Sequence, residues 1–286
     1  MHPYLVEGTS RAISPELPSS SREQSVRARQ LLLEMIKRAD SGHIGSSLSC
    51  VDIISILKFG EMNWTAGRDR CDSDVFVLSK GHAVPAWYAV LMVSGELSIK
   101  YLGSLRMIDS PLQGHPDRVR NSLVDVSTGG LGQGLSVAIG RACAKKMKGQ
   151  RSYVYCLIGD GECQEGQIWE AVMFAGARGV GNLITFIDLN QSQSDGPMQE
   201  VLDIGPLAPK LRAFGWHVQI VDGHCHQELR DAVRAAREES GRPSAIIART
   251  RKGHIDASTI ACQGKHSGSL TPEEVQHFTE LLEVTL

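Results

Sequence analysis

Between Ser21 and Ala39 apolar residues recur on one stripe, with Val26, Leu31, Leu33, Ile36 and Ala39 standing among Arg and Lys. That spacing predicts an amphipathic helix over about 22–39. Gly42 and Gly45 interrupt the pattern, and a second helix is expected from about Ser49 to Phe59. Val75-Phe76-Val77-Leu78 is a short apolar run that empties into Ser79-Lys80-Gly81-His82. It reads as a buried strand leading to a loop. Ala83 to Val93 is too long an apolar run for a strand and predicts a core helix. From Arg106 to Thr128 the chain is polar and irregular, and long loops of that kind are often functional.

Beyond the glycine-rich run Gly129 to Gly134 the alternation becomes regular. A helix of small residues over about 133–147 leads to a strand at Tyr153 to Ile158, a helix at 166–178 and a strand at Leu183 to Leu189. A helix near 208–214, a strand at His217 to Val221, a helix at 226–238, a strand at Ala245 to Arg249 and a short helix from near Thr271 complete the pattern. Helices alternating with nearly continuous apolar strands predict an α/β fold, a mainly parallel sheet flanked by helices on both faces. Residues 1–21, with Ser14-Pro15-Glu16-Leu17-Pro18, read as a mobile lead-in, and 22–286 as one domain.

Composition narrows the class. Thirty Lys and Arg against 32 Asp and Glu give a formal charge of -2, which offers no nucleic-acid footprint. The longest apolar run has eleven residues and contains Pro85, short of the ~20 that span a bilayer, so no membrane segment is expected. The seven cysteines are scattered singly, and the first 24 residues show no basic stretch followed by an apolar one. Both features fit a reducing, cytoplasmic setting.

In a parallel sheet, ligands bind outside the carboxyl ends of the strands. Gly159-Asp160-Gly161-Glu162 follows one apolar strand, and Asp188-Leu189-Asn190 ends the next, thirty residues on from Asp160 to Asn190. A right-handed crossover sets those two ends side by side. The Asp160 carboxylate and the Asn190 carbonyl are then two hard oxygen ligands on neighbouring strands, which suits magnesium with phosphate oxygens. The flanking glycines let a bulky diphosphate approach the backbone. Alone, Gly-Asp-Gly is also a common turn, and the Gly129–Gly134 run is also a tight corner. His43, His82, His115 and His266 lie in glycine-rich loops, where an imidazole can donate to a substrate oxygen or move protons near neutral pH.

The segment from Gly159 through Asn190 to Gly196 resembles the thiamine-diphosphate motif in its transketolase version. SGHIGSSLSCVDI, DVFVLSKGHAVPAWYAVL, QGHPDR and STGGLGQGLSVAIGRACA match the same family in order, over about residues 22–270. The resemblance implies the fold's diphosphate-binding type of domain, thiamine diphosphate as cofactor, and Mg2+ that Ca2+ or Mn2+ can replace. It implies that Asp160, Asn190 and the backbone carbonyl of Ser192 hold the metal. Gly130, Leu131, Gly132, Gly159, Gly161, Glu162 and His82 would line the cofactor. It further implies that His43, His82, His115 and His266 surround the thiazolium and the donor sugar, and that Glu165 links two active sites across a dimer. His266 departs from the family's His-Gly by an added Ser267, and Lys252-Gly253-His254 has His254 where the family has glycine. Lys252 reads either as a solvated charge or as a group that orders the loop carrying His266.

The implied activity is transfer of a two-carbon ketol unit between sugar phosphates or related aldehydes. The family carries two further domains, which are expected here on a second polypeptide, in a heterotetramer of two copies of each chain. Other readings are a 1-deoxyxylulose-5-phosphate synthase-like protein, the alpha half of a 2-oxoacid dehydrogenase, or a non-catalytic regulatory half. The stretch from Glu162 to Glu170 and the histidine loops favour the transketolase reading over the two other enzyme readings.

Overall fold

The computed structural model describes residues 20–65, 72–261 and 267–284. His266, Cys71 and Cys262 fall outside these, as does the lead-in up to residue 19. Helix α1 (Ser21–Ala39) begins with a reciprocal cap: Glu23 N–H donates to the Ser20 hydroxyl, and the Glu23 carboxylate accepts from Ser20 N–H. Its apolar stripe buries Leu32, Leu33, Met35 and Ile36 completely.

Helix α2 (Ile44–Ile56) starts well before the expected Ser49 and ends before Phe59. All of its residues are buried, and that packing overrides the helix-breaking tendency of Gly45. The chain then widens into a π turn, Leu57–Glu61. Strand β1 (Val75–Leu78) leads to α3 (Val84–Val93), whose Pro85 lies in the first turn, where its missing N–H costs nothing. There follow α4 (Gln133–Met147), β2 (Val154–Gly159), α5 (Gly166–Arg178) and β3 (Leu183–Leu189). A short α6 (Met198–Leu202), which no periodicity foretold, precedes α7 (Leu207–Ala213). The chain closes with β4 (His217–Asp222), α8 (His226–Glu238), β5 (Ser244–Arg249) and α9 (Pro272–Val284).

All strand pairs are parallel, and the order is β1-β2-β3-β5-β4. Successive strand residues alternate between two cores. Tyr155, Leu157, Ile184, Phe186 and Ile246 face α1, α2, α3 and α8. Cys156, Ile158, Ile187 and Ile247 join Leu135, Val172 and Trp216 from the α4, α5 and α7 side. This two-sided burial explains the unbroken apolar strands. Among the described residues, no helix is long and apolar enough to cross a membrane. The described cysteines are all free, and Cys50, Cys156 and Cys163 are buried.

Candidate functional site

The carboxyl ends of β1, β2, β3 and β5 meet on one rim. Gly159 pairs with Asp188 across β2 and β3, so Asp160 leaves its strand beside the end of β3, as the crossover argument requires. Asp160 is 3% exposed. Its carboxylate accepts from Gly161 N–H at 2.8 Å and from Gln191 N–H at 2.5 Å. Gln191 holds a left-handed φ of 59°, which turns the Asn190–Ser192 segment back toward Asp160. The Asn190 carbonyl oxygen accepts from Ser192 N–H at 3.1 Å, and its amide donates to Asp188 at 3.4 Å.

Beneath these groups lies an ion pair that sequence reasoning missed. Lys80 is 1% exposed and Asp188 fully buried. The Lys80 ammonium donates to Asp188 and, at 3.2 Å, to the Ser46 carbonyl. Ser49 donates to the same carboxylate oxygen at 2.6 Å, and Thr250 donates to the other. Burial would raise Asp188, but the Lys80 charge and these bonds hold it below its ordinary value. Burial would lower Lys80, and Asp188 more than reverses that.

Glu162 sits at the crossing of three segments. It is 2% exposed and accepts from the Ser79 hydroxyl at 2.5 Å, from Gly132 N–H at 2.8 Å and from Gly159 N–H at 3.2 Å. It thereby ties the end of β1, the glycine-rich run and the end of β2. Gly132 has a φ of 84°, and a Cβ there would stand 3.1 Å from Glu165 Cβ, so this corner needs glycine. Leu131 and Glu165 are exposed, Glu165 at the N-cap of α5, where a negative charge meets the helix dipole favourably. A Cβ at Gly161 would lie 3.3 Å from Gln193 Cβ, so the bare backbone admits the Asn190 loop.

The donor set fits a hard divalent cation bound with phosphate. Asp160, Asn190 and the Ser192 backbone supply only oxygens. Burial, and then the neighbouring Asp188 charge, push Asp160 up to about 6. A cation beside it would reverse that penalty. Lys252 donates to the Ser192 hydroxyl at 3.0 Å and to the Gln193 carbonyl at 3.1 Å. Its ammonium therefore braces the loop that carries Asn190. Burial and then the Lys80 charge lower its pKa.

Three of the four histidines converge on the same rim. The rings of His43 and His82 are 5.2 Å apart, and those of His43 and His115 are 6.1 Å apart. His43 forms the N-cap of α2, His82 follows β1, and His115 comes from the long loop before α4. Gly81 sets this spacing, because a Cβ there would meet Thr128 Oγ1 at 2.8 Å and Gly129 N at 3.2 Å. His266 is not placed, since it lies outside the described residues.

A second histidine cluster lies beyond the carboxyl ends of β4 and β5, in a groove of about 1180 Å³ that also reaches Thr250. Arg29 makes a two-pronged pair with Asp52 at 3.0 and 2.6 Å, and His224 and His226 bond the same carboxylate at 2.8 and 2.9 Å. His254 stacks on His224 with ring centres 3.6 Å apart. Asp52, His224 and His254 have metal-ligand spacing. Arg29 already compensates the carboxylate, however, and Arg251 N–H donates to His224 Nε2 at 3.0 Å. The cluster is a hydrogen-bonded brace joining α1, α2 and α8.

Comparison with known proteins agrees with this geometry. Residues 21–284 match the family described as transketolase, thiamine diphosphate binding domain. The 6-deoxy-6-sulfo-D-fructose transketolase subunit SqwG of Clostridium sp. (strain MSTE9) is 42% identical over 246 residues, which cover 86% of this chain and 90% of that protein. Human transketolase is 42% identical over 236 residues, but these cover 81% of this chain and only 37% of the longer protein. The transketolase structure from Campylobacter jejuni superposes with a TM-score of 0.84 at 30% identity, over 92% of this chain and 42% of that one. The chain thus spans less than half of the full-length relatives and nearly all of a relative named as a subunit. By the extent of that match, the chain belongs to the transketolase family and constitutes its thiamine-diphosphate-binding domain.

Proposed function

We propose that the chain is one half of a two-chain transketolase-type enzyme, transferring a two-carbon ketol unit from a ketose donor to an aldehyde acceptor with thiamine diphosphate and Mg2+. The observation that carries this reading is the rim itself. A buried carboxylate and an amide oxygen stand on adjacent strand ends, and three imidazoles gather on the same side of the sheet.

Asp160, Asn190 and the Ser192 carbonyl would hold the metal, and the backbone of Gly130, Leu131, Gly132, Gly159 and Gly161 would border the diphosphate. Glu162 shapes that border by fixing Gly132 and Gly159 through their N–H groups. When bound, the thiazolium serves as an electron sink for the acyl carbanion that no side chain stabilises. His43, His82 and His115 would orient the sugar hydroxyls and carry protons to and from them. Donor and acceptor could be sugar phosphates or other anionic sugars, the class to which the relative's 6-deoxy-6-sulfo-D-fructose belongs.

The partner would be a polypeptide with the pyrimidine-binding and C-terminal domains, assembled as a heterotetramer and working in the cytoplasm. Glu165 would lie at the junction between the two active sites. Two features support an assembly surface there. Val137 on α4 is 41% exposed, and Met173 and Phe174 on α5 are 54% and 46% exposed. These helices pack side by side and leave apolar groups facing outward, as an interface requires. The test is a ketol-transfer assay of this chain alone and of the chain co-expressed with a second polypeptide of the missing kind. Turnover is expected only in the second case. Robust turnover by the 286-residue chain alone would overturn the split arrangement.

A further inference from the structure

Arg106 lies in the long loop before α4 and reaches back across it to the start of α2. Its Nη1 donates to the Ser41 hydroxyl at 2.7 Å, and its Nη2 stands 3.2 Å from His43 Nδ1. A guanidinium has five N–H donors and no acceptor. The Nδ1 of His43 must therefore be the acceptor, which leaves the ring proton on Nε2. We propose that Arg106 is a positioning residue that holds His43 as the neutral, Nε2-protonated imidazole, so that this ring offers a sugar an N–H donor and not an imidazolium.

The loop is built to deliver that guanidinium. Arg106 has a φ of 63°, an uncommon value for a residue with a side chain, and its N–H closes the loop onto the Leu112 carbonyl at 2.8 Å. Gly114 makes room: a Cβ at that position would lie 2.8 Å from Arg106 Nε and 3.4 Å from its Cζ. The glycine in Gln113-Gly114-His115 thus has a physical role besides shaping the turn. On the other side, the His43 carbonyl accepts from Ser47 N–H at 3.0 Å and from the Ser47 hydroxyl at 2.8 Å, so the residue presenting the ring is fixed as well.

The surroundings act in the same direction. His43 caps the N-terminus of the 13-residue α2, and the positive end of the helix dipole disfavours a cation there. Among the groups near the ring, Arg106 carries a fixed positive charge 3.2 Å from Nδ1, which opposes a second positive charge on His43. His115 feels the same guanidinium: burial and then the Arg106 charge lower its pKa. One arginine therefore stands beside two of the three rings. The purpose assigned to the donor rests on the ketol-transfer reading, whereas the tautomer does not.

The experiment is a long-range 1H–15N correlation spectrum of the full chain labelled at histidine, at neutral pH, with the His43 signals identified by their loss in His43→Gln. The expected wild-type pattern is an unprotonated Nδ1 and a protonated Nε2. In Arg106→Met, His43 should become a tautomer mixture, because the donor that holds Nδ1 as an acceptor is gone. Gly114→Ala should push the guanidinium aside and mix the tautomers while keeping its charge. A wild-type His43 protonated on Nδ1, or present as the imidazolium, would overturn the proposal without any variant having to fold. A spectrum unchanged in Arg106→Met would do the same. None of these readouts uses turnover, so failure of the ketol-transfer assay leaves the assignment to be judged separately.

Discussion

At the ends of β2 and β3, Asp188 is fully buried and held by Lys80, Ser49 and Thr250, and Glu162 is closed by three donors. Across the same rim His43 and His82 are partly exposed, His115 is exposed, and Arg106, which orders His43, is itself exposed. The buried end finds these partners within this chain. The histidine end presents rings to a space that a substrate and a second chain would close. The groups proposed to anchor a cofactor are locked by desolvated partners, whereas the groups proposed to act on a substrate remain reachable.

The strongest way to break this contrast is to unbalance the buried end. Lys80→Met leaves Asp188 charged and unpaired inside the protein and is expected to cost about 3–5 kcal/mol of stability, read from urea unfolding. Lys80→Met combined with Asp188→Leu should recover a large part of that loss. An unchanged midpoint in the single variant would show that the pair does not hold the rim.

At the histidine end the expected effect falls on rate. His82→Ala or His115→Ala, in the chain assembled with its partner, should lower kcat/KM by ~10²-fold and leave the thermal unfolding midpoint near the wild-type value. Wild-type turnover in both variants would make these rings ordinary loop residues.

The proposed metal ligands come next. Asp160→Ala or Asn190→Ala should weaken thiamine-diphosphate binding in the presence of Mg2+ by about 10–100-fold, measured by calorimetric titration of the assembled protein. The fold should survive, because the Lys80–Asp188 pair beneath is untouched. Equal affinity in both variants would remove the metal from this rim.

The smallest effect concerns Asp52, which carries the closed pattern to the far side of α2. Burial would raise its pKa, yet the Arg29 charge and the bonds from His224, His226 and Arg29 hold it well below the ordinary carboxylate range. Because the folded-state value is depressed, its contribution to stability is complete above the unfolded pKa of about 4. It is lost as pH falls from there toward the folded value. Arg29→Met with Asp52→Leu should make the acid limb of the stability curve shallower, by about one proton taken up on unfolding. An acid limb as steep as the wild type would exclude this pair as its source.

Much of the architecture was legible in local pattern. The apolar strands at 154–159 and 183–189, with a helical repeat between them, were enough to place Asp160 and Asn190 side by side. The glycine-rich context of His43, His82 and His115 marked them as loop residues, and the family resemblance brought them to the cofactor. Hydrophobic periodicity works here because it records which face of an element is buried, and a right-handed crossover leaves little freedom in how neighbouring strands meet.

Other features had no local signal. The α2 start at Ile44 was hidden because Gly45 reads as a breaker, and only full burial of the helix overrides it. Lys80 and Asp188 are 108 positions apart, and Arg106 and His43 are 63 apart. Such pairs depend on how distant elements are brought together, and a lysine in a glycine-rich loop looks the same in sequence whether it ends in water or against a buried carboxylate. The sequence by itself determined the parallel α/β frame and which residues reach its rim, since both follow from local periodicity and chain connectivity. Only the tertiary structure decided which charges are buried together and which imidazole nitrogen keeps its proton, because both depend on desolvation and on donors supplied from elsewhere in the chain.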